Sequence, residues 1–179
     1  MAIQQYNTAL LLFSRSSEGE SHVKNFLSFG NTAKNKTLTK KIIDRSIVIA
    51  KKSGLPYFFW DEKLQRGNNF GERLANAISD VFEKGFEKII VIGNDCLELT
   101  ALNIHHAATQ LEKFERVIAP TKKGGVSLMG FGRSNFNQKD FENIRWQTTH
   151  VYKDMLSLAH ETNNSIFHFP FLNDVNNHE

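Results

Sequence analysis

The sequence predicts an α/β fold, a three-layer sandwich whose mostly parallel but mixed sheet carries helices on both faces, and three observations predict it. Strand-like and helix-like segments alternate three times between Thr8 and Phe114, which favours parallel pairing through right-handed crossovers. The run Ala9-Leu10-Leu11-Leu12-Phe13 is apolar at every position, as in a strand buried on both faces by helices. Beyond Glu115, two short strand-like segments lie close together across Lys122-Lys123-Gly124-Gly125, which suggests a hairpin and so a sheet of mixed sense.

Each element has a local reason. Thr8–Arg15 is too short for a convincing helix and is followed by Ser, Gly and charges, so it reads as a strand. Asn31–Ser53 places Leu38, Ile42, Ile43, Ile47 and Ala50 on one helical stripe, and Gly54 with Pro56 stops it. Tyr57–Trp60 is the second strand. Phe70–Lys84 repeats the helical pattern through Leu74, Ala77, Ile78, Val81 and Phe82, with Gly85 at its end. Lys88–Gly93 is the third strand and Thr100–Phe114 the third helix, with Thr100 as its N-cap. Arg116–Pro120 and Val126–Phe131 form the hairpin, Thr148–Glu161 is a last amphipathic helix and Ser165–Phe169 a last short strand. With no repeat and no linker, residues 1–179 read as one domain with a polar tail from about residue 173.

Composition narrows the function classes. Of 179 residues, 40% are hydrophobic and 23% charged, which excludes intrinsic disorder. No apolar run approaches the roughly 18 residues of a membrane span. Met1–Arg15 has no basic start before its apolar run, which argues against a secretory signal. The single Cys96 has no partner for an internal disulfide, so a cytoplasmic protein is expected. The formal charge is +3, yet residues 1–60 hold nine basic and three acidic side chains. That excess sits at Lys34, Lys36, Lys40, Lys41, Arg45, Lys51 and Lys52, spaced for the outer face of a helix. Without interleaved aromatic residues it reads as a solvated face and not as a nucleic-acid surface.

Ligands of open α/β sheets gather at the carboxyl ends of the strands, where loops converge and helix N-termini offer free N–H groups. Three loops qualify: Ser14–Glu20 with Lys24 further on, Gln65–Arg73, and Gly93–Glu98. Asp95, just past a buried strand, is a hard oxygen ligand for a magnesium-bound diphosphate, although Asn and Asp there also cap and turn backbone. Arg15 and Lys24 suit a polyanion, and Arg73 on a first helical turn suits phosphate, a carboxylate, or a structural pair with Glu72 or Asp61. Gly67 and Gly71 let backbone approach a ligand or simply make a turn. Cys96 lies beside the candidate site with no evident base, so packing is its expected role. His105 and His106 are adjacent on a helix and point apart, a poor spacing for metal. Trp146 reads either as a core plug or as a stacking platform.

Taken as an ordered set, these loops resemble the radical-SAM/selenodomain-associated transferases. These are glycosyltransferase-A-like proteins akin to nucleotide-diphospho-sugar transferases and molybdenum-cofactor guanylyltransferases. That family's Q-x-G-x-x-L-G-x-R is similar to Gln65, Gly67, Phe70, Gly71 and Arg73, and its G-x-D-C-P to Gly93, Asp95 and Cys96, with Leu97 in place of Pro. Its P-x-x-D-G-G-Y resembles Pro120, Gly124 and Gly125, with Lys123 for the Asp and Val126 for the Tyr. Its I-x-W resembles Ile144 and Trp146, and its D-V-D resembles Asp174-Val175-Asn176. In the N-terminal loop, Phe13, Arg15 and Lys24 fit, but both family prolines are missing and Asn25-Phe26 stands where the family has Thr-Arg.

The resemblance implies a glycosyltransferase-A-like domain that binds a nucleoside diphosphate sugar, or a similar activated nucleotide, and transfers the glycosyl group to an unidentified acceptor. It implies that Asp95 holds Mg²⁺ or Mn²⁺, with Asp174 a second catalytic candidate as metal ligand or base. Arg15, Lys24, Gln65, Gly67, Gly71 and Arg73 would hold the nucleotide, and Lys123, Gly124, Gly125 and Trp146 would border the substrate. The substitutions at Asn25, Phe26, Lys123 and Val126 support an alternative, a non-catalytic binding or regulatory module on the same fold.

Overall fold

The computed structural model describes residues 7–23 and 32–173. Lys24, Asn25, Phe26 and Asp174 therefore lie outside the described residues. In chain order the elements are β1 (Thr8–Phe13), α1 (Ser17–Val23), α2 (Thr32–Lys52), β2 (Tyr57–Trp60), α3 (Phe70–Glu83), β3 (Lys88–Ile92), α4 (Ala101–Gln110), β4 (Arg116–Pro120), β5 (Val126–Gly132), a 3-10 turn at Arg133–Asn135, α5 (Gln138–Glu142), α6 (Val151–Glu161) and β6 (Ile166–His168).

The six strands make one sheet in the order β2-β1-β3-β5-β4-β6. β1 pairs in parallel with β2 and β3, and β4 with β6, while β5 runs antiparallel to both β3 and β4. The expected mixed sheet and the β4–β5 hairpin are present, and a bulge at Ala119/Pro120 shifts the hairpin register as it nears its turn. One edge of the sheet consequently collects the carboxyl ends of β1, β3 and β4 together with the start of β5.

Strand alternation splits the core into two layers. Ala9, Leu11 and Phe13 of β1 and Ile89 and Val91 of β3 face Leu74, Ile78 and Val81 of α3 and Val151 and Met155 of α6. Leu10 and Leu12 with Ile90 and Ile92 face the other way, onto Ala50 of α2 and Ile104 and Ala107 of α4. All six residues of β1 are buried, as its unbroken apolar run predicts. Thr100 caps α4 in a reciprocal capping box with Asn103, the expected start signal. The lysines of α2 are exposed, with Lys40 paired to Asp44 one turn on at 2.6 Å.

Three local differences from the sequence expectation have identifiable causes. Ser17–Val23 is a short helix and not a loop, because Ser16 Oγ accepts from the Gly19 N–H (3.1 Å) and caps the turn. The last helix begins at Val151 rather than Thr148, since Thr148 Oγ1 donates to the Arg145 carbonyl (2.6 Å) and accepts from the His150 N–H, closing a turn of its own. α5, which no periodicity announced, is capped by Asn137 accepting from the Asp140 N–H and buries Phe141. No helix of the described residues is long and apolar enough to cross a membrane.

Candidate functional site

A cleft of about 570 Å³ opens at the sheet edge where β1, β3 and β4 end. Phe13, Ser14 and Arg15 enter it from β1, Val91 through Cys96 from β3, and Thr121, Lys123, Gly125, Val126 and Ser127 from the hairpin. Gln65, Phe70, Arg73 and Leu74 supply the wall at the start of α3, and Trp146 through Thr149 the wall before α6. Three candidates at this edge, Arg15, Asp95 and Lys123, thus come from three separate strand ends.

Arg73 lies on the first turn of α3, half-buried, and makes no side-chain hydrogen bond or ion pair with the described residues. Neither acid that might have taken it does so. Glu72 accepts from the Asn68 N–H (2.7 Å) and from Asn69 Nδ2 (2.9 Å), and Asp61 accepts from the Lys63 N–H (3.0 Å). The salt bridge in this region is made by Arg66, which places Nη2 on Asp80 at 2.6 and 2.8 Å. Arg15 is likewise half-buried without a side-chain partner among the described residues. Both guanidiniums line the cleft together with Lys123 and the carboxylates of Glu20 and Asp95.

The carboxylates of the cleft lining are Asp95, half-buried, and Glu20, which is 3% exposed. Glu20 comes from α1, and Asn94 Nδ2, itself 7% exposed, donates to its Oε1 at 3.4 Å. Among the described residues no three of His, Cys, Asp and Glu cluster around a possible metal position. This donor set fits Mg²⁺ or Mn²⁺ arriving on a diphosphate, which needs one or two protein carboxylates while phosphate oxygens and water fill the other positions, and it does not fit an all-protein cage.

Several expected ligand-binding residues also make contacts within the frame. Gln65 Nε2 donates to the carbonyls of Ser14 (2.9 Å) and Trp60 (3.2 Å), splicing the ends of β1 and β2 while the residue still lines the cleft. Gly71 lies off the lining: a Cβ there would sit 2.9 Å from Trp146 Cδ1 and 3.0 Å from the Glu142 carbonyl oxygen, so the glycine lets α3 touch α5. Gly67, at φ 138, packs against Glu72 and Arg73. Gly124 has φ 82, and a Cβ on it would collide with the Thr149 carbonyl oxygen. Its own carbonyl accepts from the Tyr152 N–H at 3.0 Å, which fastens the hairpin turn to the start of α6.

The Trp146 ring packs against the core beside Phe70 (centroids 5.5 Å apart), its Nε1 donates to the Phe141 carbonyl (2.6 Å), and it also borders the cleft. Cys96 is 7% exposed, and burial pushes its thiol up despite hydrogen bonds from the backbone of Glu98 and Leu99, consistent with a packing role. Sequence reasoning placed Glu20 in a loop and gave Asn94 no role. Both are cleft residues here, and their pairing across 74 residues of chain left no local signal.

The family model for uncharacterized proteins conserved in bacteria, DUF2064, matches residues 37–148, more than half of the chain. The chain belongs to the DUF2064 family. The match takes in Gln65, Arg73, Asp95 and Lys123 but ends before α6. No curated protein matches this DUF2064 chain in sequence. Among solved structures it is similar to a Desulfovibrio desulfuricans G20 protein provisionally described as a nucleotide-diphospho-sugar transferase, with a TM-score of 0.85, 21% identity, and 97% of this chain and 84% of that one covered. It is also similar to Rv0371c of Mycobacterium tuberculosis H37Rv, with a TM-score of 0.55, 12% identity, and coverage of 95% and 92%. These likenesses show that the fold is shared.

Proposed function

We propose that this DUF2064 protein binds a nucleoside diphosphate sugar, or a similar activated nucleotide, in the carboxyl-edge cleft and transfers the activated group to an acceptor. The observation that carries the reading is the pair Arg15 and Arg73, both half-buried without a side-chain partner among the described residues, on the cleft that Asp95 also lines. The finer kinship to the radical-SAM/selenodomain-associated transferases is part of the same reading, and its support is the order of motifs from Gln65 to Gly130. So is a single cytoplasmic domain over the chain.

In this mechanism Arg15 and Arg73 take phosphoryl oxygens through charge-assisted hydrogen bonds and hold the diphosphate against the ends of β1 and α3. Asp95 would hold Mg²⁺ or Mn²⁺, with Glu20 on the same lining to share the charge balance. Bound there, the metal supplies Lewis-acid stabilisation of the leaving diphosphate. Lys123 at the rim adds a cation where negative charge develops as the bond from sugar carbon to phosphate oxygen breaks. Trp146 and Gly125 border the acceptor, whose hydroxyl oxygen bonds to the sugar carbon as the diphosphate leaves, with its proton released to solvent. Lys24 and Asp174 keep their expected roles as phosphate cation and second carboxylate.

The alternative, a non-catalytic binding module, draws on Lys123 standing at the rim where the resembling family carries Asp. The two readings separate in calorimetric titration with UDP, GDP, CDP and ADP, each with and without Mn²⁺, on the wild type and on Asp95→Ala. Metal-dependent binding of one nucleotide that disappears in Asp95→Ala supports the donor site. Absence of binding at millimolar nucleotide overturns it. A Lys123→Asp variant that gains metal-dependent binding favours the module, whereas one that loses turnover gives Lys123 a working role.

A further inference from the structure

At the opposite edge of the sheet from the cleft, a second cavity of about 340 Å³ lies between the start of β4, the 3-10 turn, α5 and the end of α6. Its floor is Arg116, the first residue of β4, which is 2% exposed. Nε donates to Asn164 Oδ1 (2.8 Å) and Nη2 to the Asn135 carbonyl (2.9 Å), while the guanidinium lies 5.9 Å from the Phe131 ring centre. Nη1 is buried and has no hydrogen-bond partner among the described residues. A buried, unpartnered donor on a cation is costly, and native proteins leave few of them.

The rest of the lining says what would satisfy it. Asp140 of α5 also lines the cavity and is the acid whose charge bears on Arg116, and no side-chain hydrogen bond occupies it among the described residues. Ser134, Asn137 and Thr162 add small polar groups, and Phe136 and Leu158 an apolar side. One buried cation and one carboxylate leave the cavity near charge balance, which disfavours a multiply charged phosphate. The volume falls in the range of small-ligand sites and exceeds what one bridging water needs.

We propose that this cavity binds a small zwitterion of the α-amino acid class, its carboxylate on Arg116 Nη1 and its ammonium toward Asp140. The site is separate from the carboxyl-edge cleft and stands whether or not that cleft binds nucleotides. A carboxylate oxygen gives Nη1 the acceptor it lacks, and the ammonium gives Asp140 a donor. Polar groups at the rim favour a short polar side chain.

The test is calorimetric titration of the full chain with glycine, serine, threonine and asparagine, with acetate, methylammonium and inorganic phosphate as matched probes. At least one amino acid is expected to bind, with acetate at least about tenfold weaker because it lacks the second charge-assisted contact. Asp140→Asn is expected to weaken the amino acid about tenfold or more while binding acetate no more weakly than the wild type. Arg116→Gln abolishes binding if it folds, and Asp140→Asn decides the matter if it does not. Absence of amino-acid binding at millimolar concentration overturns the proposal. So does acetate or phosphate binding as tightly as the amino acids, or an Asp140→Asn protein that binds them unchanged.

Discussion

Arg145 grips Asp154 at two points, Nε to Oδ2 at 2.9 Å and Nη2 to Oδ1 at 2.5 Å, while its own backbone N–H reaches the same Oδ2 at 3.0 Å. The pair clamps the Arg145–His150 segment, which carries Trp146 and the Thr148–Thr149 wall of the cleft, onto the first turn of α6.

That clamp is pH-sensitive in a defined direction. The Arg145 hydrogen bonds hold the Asp154 carboxyl down at about 2, against an ordinary 3.8. A lowered folded value means that the contribution is complete above 3.8 and is lost as pH falls through about 2. Asp154→Asn is therefore expected to be less stable than wild type at neutral pH, with the difference shrinking across that window. Denaturant unfolding of both proteins at a series of acidic pH values measures it. A difference that does not change with pH would contradict the assignment.

Arg73→Gln separates binding from folding. With no partner to lose, the variant is expected to unfold at nearly the wild-type denaturant midpoint. Its affinity for a diphosphate ligand falls about 10- to 100-fold for the loss of one charge-assisted contact. Equal losses in stability and affinity would instead mark Arg73 as a structural side chain.

Gly124→Ala tests the turn. The positive φ and the collision with Thr149 predict a destabilisation of at least about 1–3 kcal/mol, read as a lowered unfolding midpoint. Gly85→Ala is the control: it also has a positive φ of 97, but a Cβ there meets nothing within 4 Å. It is expected to cost less.

Cys96 is expected to react slowly with a maleimide in the native protein and readily in denaturant, because burial both shields the thiol and raises it. Fast native labelling would show that the cleft floor opens.

What the sequence made legible is whatever one segment decides alone. β1 is unbroken Ala9–Phe13, and Thr100 meets Asn103 three residues on; both follow from local pattern. The strand ends carrying Arg15, Asp95 and Lys123 were equally local, so the cleft edge could be located. What remained hidden depends on partners far away in the chain. α1 holds Gly19 and two serines, poor helix formers, and its start is fixed by Ser16 and by Glu62, whose carboxylate takes the Ser16 N–H and Oγ at 2.6 Å each. Burial pushes that carboxyl up, but the Ser16 hydrogen bonds outweigh it and leave it lowered. Arg116 finds Asn164 across 48 residues, so nothing around position 116 announced a buried cation. Gly67, Gly71 and Gly124 illustrate the converse. A glycine fitted to a ligand and one fitted to a neighbouring backbone look alike until the neighbour is in place.

Because β5 runs against its neighbours, the cleft receives a closed hairpin tip at a position where a parallel strand would have sent a long crossover. The tip, Thr121–Gly125, begins and ends at the same edge, with the Thr121 N–H donating to the Gly125 carbonyl at 2.9 Å. Gly124 ties the tip to the start of α6 through the Tyr152 N–H, whereas Lys122 and Lys123 stay exposed. Exchanging the side chains of those two lysines leaves both the strand order and the Gly124 anchor in place. On the proposed function, this exposed tip is where ligand preference would change with the least disturbance to the strands beneath.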